Sequence, residues 1–308
     1  WRIPFLVNGL YAPNQGFLPK LAGGEYDASE VINITDEHCS DDAALFIASK
    51  PGQKAVISGK KHFGLSKAQT VDYGNTDISV MRRMNKSAYG KLYYIDYADI
   101  GMDKIPYGIV FRFNSDGTSQ DMRVARYPNN GTNTLIEVIK DGSYIDTSDD
   151  NLTKTGRPME WIPDDKRPFS WYNTNEIHLL GRIANEWTIT DGVIQIDKIS
   201  NTIKSTDSVL ASGNSPITTQ FWNSIAVTFY YTNVFEELDS PGEYFADNNA
   251  KRLYFYPPNG KVDIDDEMSY GISDGYVFNV TNGKNIVFSD IEINNVQNAI
   301  SINNGYLV

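Results

Sequence analysis

Val277-Phe278-Asn279-Val280-Thr281-Asn282-Gly283 and Ala299-Ile300-Ser301-Ile302-Asn303-Asn304-Gly305 both run apolar, apolar, polar, apolar, polar, Asn, Gly, at an offset of 22 residues. Short alternating strands closed by Asn/Gly turns, repeating with a period in the twenties, are the mark of a strand solenoid in which each coil stacks on the last. One coil cannot cover its own apolar face, so about three are needed for a stable stack. The repeat reaches Val308 before a third copy, so the expectation is a solenoid that continues past Val308 and a chain that is a fragment of it. The competing reading is a pair of antiparallel strands that look alike by chance.

Composition bounds the rest. The chain has 308 residues, 41% of them hydrophobic, room for two domains and a large core. No apolar run reaches the roughly eighteen residues of a membrane span. Trp1 is not preceded by a basic-then-apolar leader, so any secretion signal lies outside this sequence. The net charge of −12 repels phosphate backbones and disfavours nucleic acid as a partner. It also disfavours anionic polysaccharide at long range, although a local basic pocket would override that. Cys39 is the single cysteine, which excludes an intrachain disulfide and reads as structural.

Abundant Asn, Asp, Gly, Thr and Tyr with few helix formers in register point to an all-β protein rich in turns. Residues 1–22 read as an irregular arm. Ala44-Leu45-Phe46-Ile47, the Pro51-Gly52 turn and Ala55-Val56-Ile57-Ser58-Gly59 have the rhythm of a first coil, with a short helix capped by Asp41-Asp42 as the lesser reading. Ile78-Ser79-Val80 and Lys91–Ile95 continue the strand pattern. From Ile105 the texture changes: Ile109–Phe113 and Met122–Tyr127 read as a hairpin around Asn114-Ser115-Asp116-Gly117. Further strands are expected at Glu176–Leu180, Trp187–Ile189, Val193–Ile199 and Ile225–Tyr231, with no coil-length period. A second hairpin is expected to turn at Asp247-Asn248-Asn249-Ala250. The segments are therefore 1–104, arm and first coils; 105–265, an inserted antiparallel β-barrel or sandwich; and 266–308, coils resuming.

Three segments then carry a resemblance. Lys50-Pro51-Gly52-Gln53-Lys54-Ala55-Val56-Ile57-Ser58-Gly59 resembles a "PGE-x-x-VISG" coil. Arg123-Val124-Ala125-Arg126-Tyr127-Pro128-Asn129 resembles a "LARYPN" strand. Glu236-Glu237-Leu238-Asp239-Ser240-Pro241-Gly242-Glu243-Tyr244 with Leu253-Tyr254-Phe255-Tyr256-Pro257-Pro258 resembles an "EELDxPGEW…LYFYPP" hairpin. In this order they are similar to the front of large secreted bacterial proteins of the right-handed parallel β-helix type, among them β-helix glycoside hydrolases. The chain departs from the pattern at Gln53, where Glu is usual, and at Tyr244, where Trp is usual. The resemblance implies a β-helix, a small β insertion and a β-helix again, with secretion or cell-surface display and an oligo- or polysaccharide partner. It does not fix the chemistry, because a fold hosts many functions.

Glycosidic cleavage usually needs two carboxyl groups, one protonating the leaving oxygen and one attacking or activating water. If Ser289-Asp290-Ile291-Glu292-Ile293 is one strand, Asp290 and Glu292 share its outer face about 6.5–7 Å apart. That lies between the retaining range of roughly 5–5.5 Å and the inverting range of roughly 6.5–9.5 Å. The plain alternative is two solvated acids. Trp161, Trp171, Trp187 and Trp222 are core residues or sugar-stacking platforms, Trp171 being the candidate for substrate binding because Phe169-Ser170-Trp171-Tyr172 reads as a loop. His38, His62 and His178 lack metal-ligand spacing, and Asp263-Ile264-Asp265-Asp266-Glu267 reads as a solvated turn rather than a calcium loop. No cofactor or metal is expected. The leading expectation is a glycoside hydrolase; the alternatives are a polysaccharide lyase on the same scaffold and a non-catalytic glycan-binding surface protein.

Overall fold

The structure, a computed structural model, describes residues 20–28, 31–39, 41–42, 44–103, 107–140, 159–172, 176–183, 189–206, 220, 226–271, 276–296 and 298–306. They form two compact units. One is built from the described residues of Trp1–Gly64, Pro106–Asp121 and Asp265–Val308, the other from those of Leu65–Ile105 and Met122–Ile264.

The first unit holds three parallel sheets of three strands each. One is made of Lys20–Leu21, Leu45–Ser49 and Ile286–Ser289; the second of Gly24–Asp27, Ala55–Ser58 and Ile291–Asn294; the third of Ile32–Thr35, Tyr276–Thr281 and Asn298–Asn303. Consecutive strands always fall in different sheets, and the chain returns to each sheet in turn. The quoted repeat is one such return: Phe278 pairs with Ile300 and Val280 with Ile302, in parallel, so the 22-residue offset is a register and not a coincidence. On the other side Phe278 pairs with Ile32 and Val280 with Ile34. Inward residues of the three sheets, including Ile34, Ile47, Ile57, Phe278, Val280 and Ile286, make one core. Burying each such side chain contributes roughly 1.5–3 kcal/mol.

Polar residues make the corners. Asn282, Asn285, Asp290, Asn295 and Asn304 take left-handed φ values of 54°, 52°, 56°, 54° and 54°. Asn and Asp visit this region more readily than other non-glycine residues because their short side chains bond locally. Gly283 follows such a corner for a different reason: a Cβ there would lie 2.5 Å from Val280 Cγ1 and 2.8 Å from Ile286 Cδ1. A separate antiparallel sheet of this unit runs Ser119–Asp121, Tyr107–Arg112, Glu267–Gly271, Lys60–Gly64.

The second unit carries a seven-stranded antiparallel sheet in the order Arg126–Tyr127, Thr228–Thr232, His178–Arg182, Thr190–Asp197, Thr202–Ser205, Glu160–Pro163, Leu135–Lys140. A five-stranded sheet runs Arg123–Val124, Glu243–Asp247, Arg252–Tyr256, Tyr93–Asp96, Gln69–Thr70. Among the described residues no sheet is closed into a barrel, one of the two forms, barrel or sandwich, expected for the insertion; an isolated antiparallel bridge between Asn133 and Phe229 links the segment before Leu135–Lys140 to Thr228–Thr232. The hairpin expected across residues 109–127 is also corrected. Tyr107–Arg112 turns back only as Ser119–Asp121, while Arg123–Val124 and Arg126–Tyr127 leave for two other sheets. Ile78–Arg83 is a helix, not a strand, because Asp77 caps it, accepting from the Ser79 amide at 2.7 Å, and Met81 is buried. The Asp247–Ala250 hairpin turn is as expected, with Asp247 Oδ1 accepting from the amides of Asn249 and Ala250.

Candidate functional site

The pair Asp290 and Glu292 does not lie on one strand. Asp290 is the left-handed corner between Ile286–Ser289 and Ile291–Asn294, outside the strand that carries Glu292. The premise of a shared strand therefore fails; the missed signal is that Asp290 joins the series of Asn corners. Its carboxylate accepts from Ser289 Oγ at 2.8 Å. Glu292 stays on the outer face of its sheet, paired with Lys54 and accepting from Asn294 Nδ2 at 2.8 Å. The Lys54 contact, then the Asn294 bond, holds its carboxyl below the usual range. In register with Glu292, across Val56, stands Glu25. Two strand spacings separate the backbones of Glu25 and Glu292 by about 9.5 Å on one face of the sheet.

Trp171 is corrected as a sugar platform. Its ring is 0% exposed, enclosed by edge contacts to Tyr127 and Tyr231. Its Nε1 donates to Glu237 Oε1, which also accepts from Arg167 Nε at 2.6 Å. Trp161 is buried too, and Trp187 and Trp222 lie outside the described residues. The exposed ring is the next one along: Tyr172 is 63% exposed.

Tyr172 lies in a cleft of about 540 Å³ within the second unit. Arg82, Arg83 and Lys86 reach it from the helix Ile78–Arg83 and the turn after it, Arg167 from the 3₁₀ turn Arg167–Ser170, and Lys198 from the bend after Thr190–Asp197. Glu236 organises its wall. It accepts from Arg83 Nε at 3.0 Å and from the Tyr172 amide at 2.9 Å. The Arg83 guanidinium then sits 5.1 Å from the centres of both the Tyr172 and Phe235 rings, within cation–π range. Sequence reasoning missed this cleft because its cations come from chain segments far apart.

Each glutamate of the Glu236–Tyr244 motif grips an arginine. Glu236 holds Arg83, Glu237 holds Arg167, and Glu243 holds Arg123 with Nη2 at 2.9 Å. Glu243 also accepts from the Asp239 and Ser240 amides. Asn129 donates to Asp239 Oδ1 at 2.8 Å, so the segment from Arg123 to Asn129 and the Glu236–Tyr244 segment are clasped together. Burial pushes the Glu243 carboxyl up to about 7 against the pull of Arg123, and burial likewise raises Glu237. Both are out of solvent's reach, so their perturbation belongs to the clasp.

Within the acidic stretch at 263–267, Asp263 and Asp265 are exposed, Asp263 pairing with Lys261; Glu267 pairs with Arg112, and Asp266 is buried and accepts from the Asn114 amide. His38 bonds Thr35, and His178 bonds Asp191 at 2.9 Å. Among the described residues no group of His, Cys, Asp and Glu could hold a metal ion, and no helix is long and apolar enough to cross a membrane.

No protein-family profile matches the sequence. No curated protein matches it either. In structure the chain is similar to a protein described as a glycoside hydrolase, with a TM-score of 0.59 at 16% identity. The likeness covers 89% of this chain and 42% of that one, so the chain spans under half the length of its structural neighbour.

Proposed function

We propose that the chain is part of a carbohydrate-active β-helix protein of the glycoside hydrolase type, exported by a bacterium. The observation that carries the reading is the fold likeness to a glycoside hydrolase over nearly the whole chain. The cyclic passage of the chain through three parallel sheets supports reading the first unit as coils of a right-handed parallel β-helix. The resemblance of three sequence segments to such proteins points the same way. On this reading the outer ledge that carries Glu292, Glu25 and the neighbouring corner Asp290 is the place for hydrolytic carboxylates, with Glu292 as base or nucleophile.

A second reading is favoured by one observation. Glu292 is engaged in an ion pair by Lys54, and a carboxylate so engaged is a weaker base or nucleophile than a free one, which suits a glycan-binding surface. The test is incubation of the protein with a panel of plant and algal polysaccharides, following both binding and new reducing ends. Reducing-end release supports hydrolysis. Binding without release supports the second reading. Neither binding nor release with any glycan would rule out both.

A further inference from the structure

The cleft beside Tyr172 concentrates positive charge in a protein whose net charge is −12. Five cations line it: Arg82, Arg83, Lys86, Arg167 and Lys198. The carboxylates tied to this lining are Glu236 on Arg83, Glu237 on Arg167, and Asp239, which Asn85 bonds at 3.1 Å. That leaves an excess of cations. Arg82, Lys86 and Lys198 have no side-chain partner among the described residues, and each is exposed. Gathering like charges in one cleft is unfavourable by itself, so an opposite charge entering it relieves the repulsion.

The two partnered arginines are held rather than free. Arg83 is fixed by Glu236 and lies between two rings; Arg167 is fixed through Nε by Glu237, which leaves its terminal nitrogens as donors. A guanidinium so anchored matches the planar, two-oxygen edge of a carboxylate or sulfate. Tyr172 adds what a bare anion site lacks. Its ring is 63% exposed beside these cations, with the Arg83 guanidinium over it, and exposed aromatic rings stack on the apolar side of a sugar ring. The net charge of −12 opposes any polyanion at long range, so the cations of this cleft have to override it locally.

We propose that this cleft binds a negatively charged sugar, a uronate or a sulfate ester, with the cations taking the anion and Tyr172 the ring. The proposal rests on the glycan-active reading and names its substrate class. It assigns a recognition site on the second unit, distinct in residues from the carboxylate ledge.

Calorimetric titration tests it with polygalacturonate, a sulfated galactan, a neutral galactan and poly-L-glutamate. The proteins compared are the unaltered chain, the triple variant Arg82→Glu/Lys86→Glu/Lys198→Glu, and Tyr172→Ala. One of the two acidic glycans is expected to bind, to weaken with added salt, and to weaken roughly tenfold or more in the triple variant. Whichever binds identifies carboxylate or sulfate as the anion. Tyr172→Ala is expected to weaken that glycan but not polyglutamate. If the triple variant loses its melting transition, the salt titration of the unaltered chain decides. Absence of binding by both acidic glycans overturns the proposal, as does insensitivity to charge reversal and salt. Equal binding of the neutral galactan to all forms overturns it while leaving the glycan reading standing. Binding of polyglutamate as tightly as the glycans, indifferent to Tyr172→Ala, leaves an anion site with no sugar and removes the glycan reading from this cleft.

Discussion

The indole Nε1 of Trp171 donates to Glu237 Oε1, and both residues are buried. The bond turns a loop tryptophan into the lid of the antiparallel core and leaves Arg167 Nε as the carboxylate's other partner.

Trp171 is therefore expected to govern stability and not sugar affinity. Trp171→Phe keeps most of the ring but removes one donor from a buried carboxylate, at a cost of about 1–3 kcal/mol. Trp171→Ala is expected to cost about 3–5 kcal/mol. Urea unfolding measures both. A Trp171→Phe protein with unchanged stability but reduced glycan binding would reverse this assignment.

Glu243 gives the protein a pH signature. Its carboxyl is raised to about 7 by burial, so between its unfolded value near 4.5 and 7 the folded state binds the proton more tightly. Stability from this group is full below the lower value and is lost as pH rises through 7. The loss is on the order of 3 kcal/mol. The stability of the unaltered chain relative to Glu243→Gln should therefore shrink from pH 5 to pH 8. Thermal melts at both ends measure it, and a gap that widens with pH contradicts the assignment.

Gly283 is needed for space. Gly283→Ala puts a methyl group against Val280 and Ile286 in the core, and overpacking of this kind costs about 1–3 kcal/mol. Asn282→Ala, one residue earlier, is expected to cost about 1–2 kcal/mol through its left-handed backbone. Asn282→Gly should cost less than Asn282→Ala, which separates a conformational cause from a lost side-chain bond.

The ledge makes a claim about turnover. On a substrate that the protein cleaves, Glu292→Gln is expected to abolish sugar release. Its melting temperature should barely move, because a solvent-exposed ion pair such as Lys54–Glu292 contributes little to stability. Asp290→Asn and Glu25→Gln identify the acid partner: whichever removes activity supplies the proton. Full rates in all three exclude this ledge as the hydrolytic centre.

The stacked strands were legible because Val277–Gly283 and Ala299–Gly305 repeat the same pattern, and a register between neighbours must leave a period in the sequence. The Glu236–Tyr244 segment was legible as a turn and hairpin, but not as a clasp, since Glu243 and Arg123 are 120 residues apart. Ile78 and Val80 read as strand by their β-branched side chains; Asp77 overrode them as a helix cap. Asp290 was misread because an acidic corner with positive φ looks like a strand residue when flanked by Ser289 and Ile291. The basic cleft left no local trace, since Arg83 meets Glu236 across 153 residues and Arg167 meets Glu237 across 70.

The neighbours Asn33 and Asn279 touch side chain to side chain although 246 residues separate them. Closing a loop of that length costs about 2 kcal/mol more entropy than closing one of 22 residues. An ordinary repeat array can nucleate anywhere and zip outward through local contacts. Here the paired strands Ile32–Thr35 and Tyr276–Thr281 lie far apart in the sequence, so their pairing is a long-range encounter. Assembly should accordingly be slow and governed by that encounter.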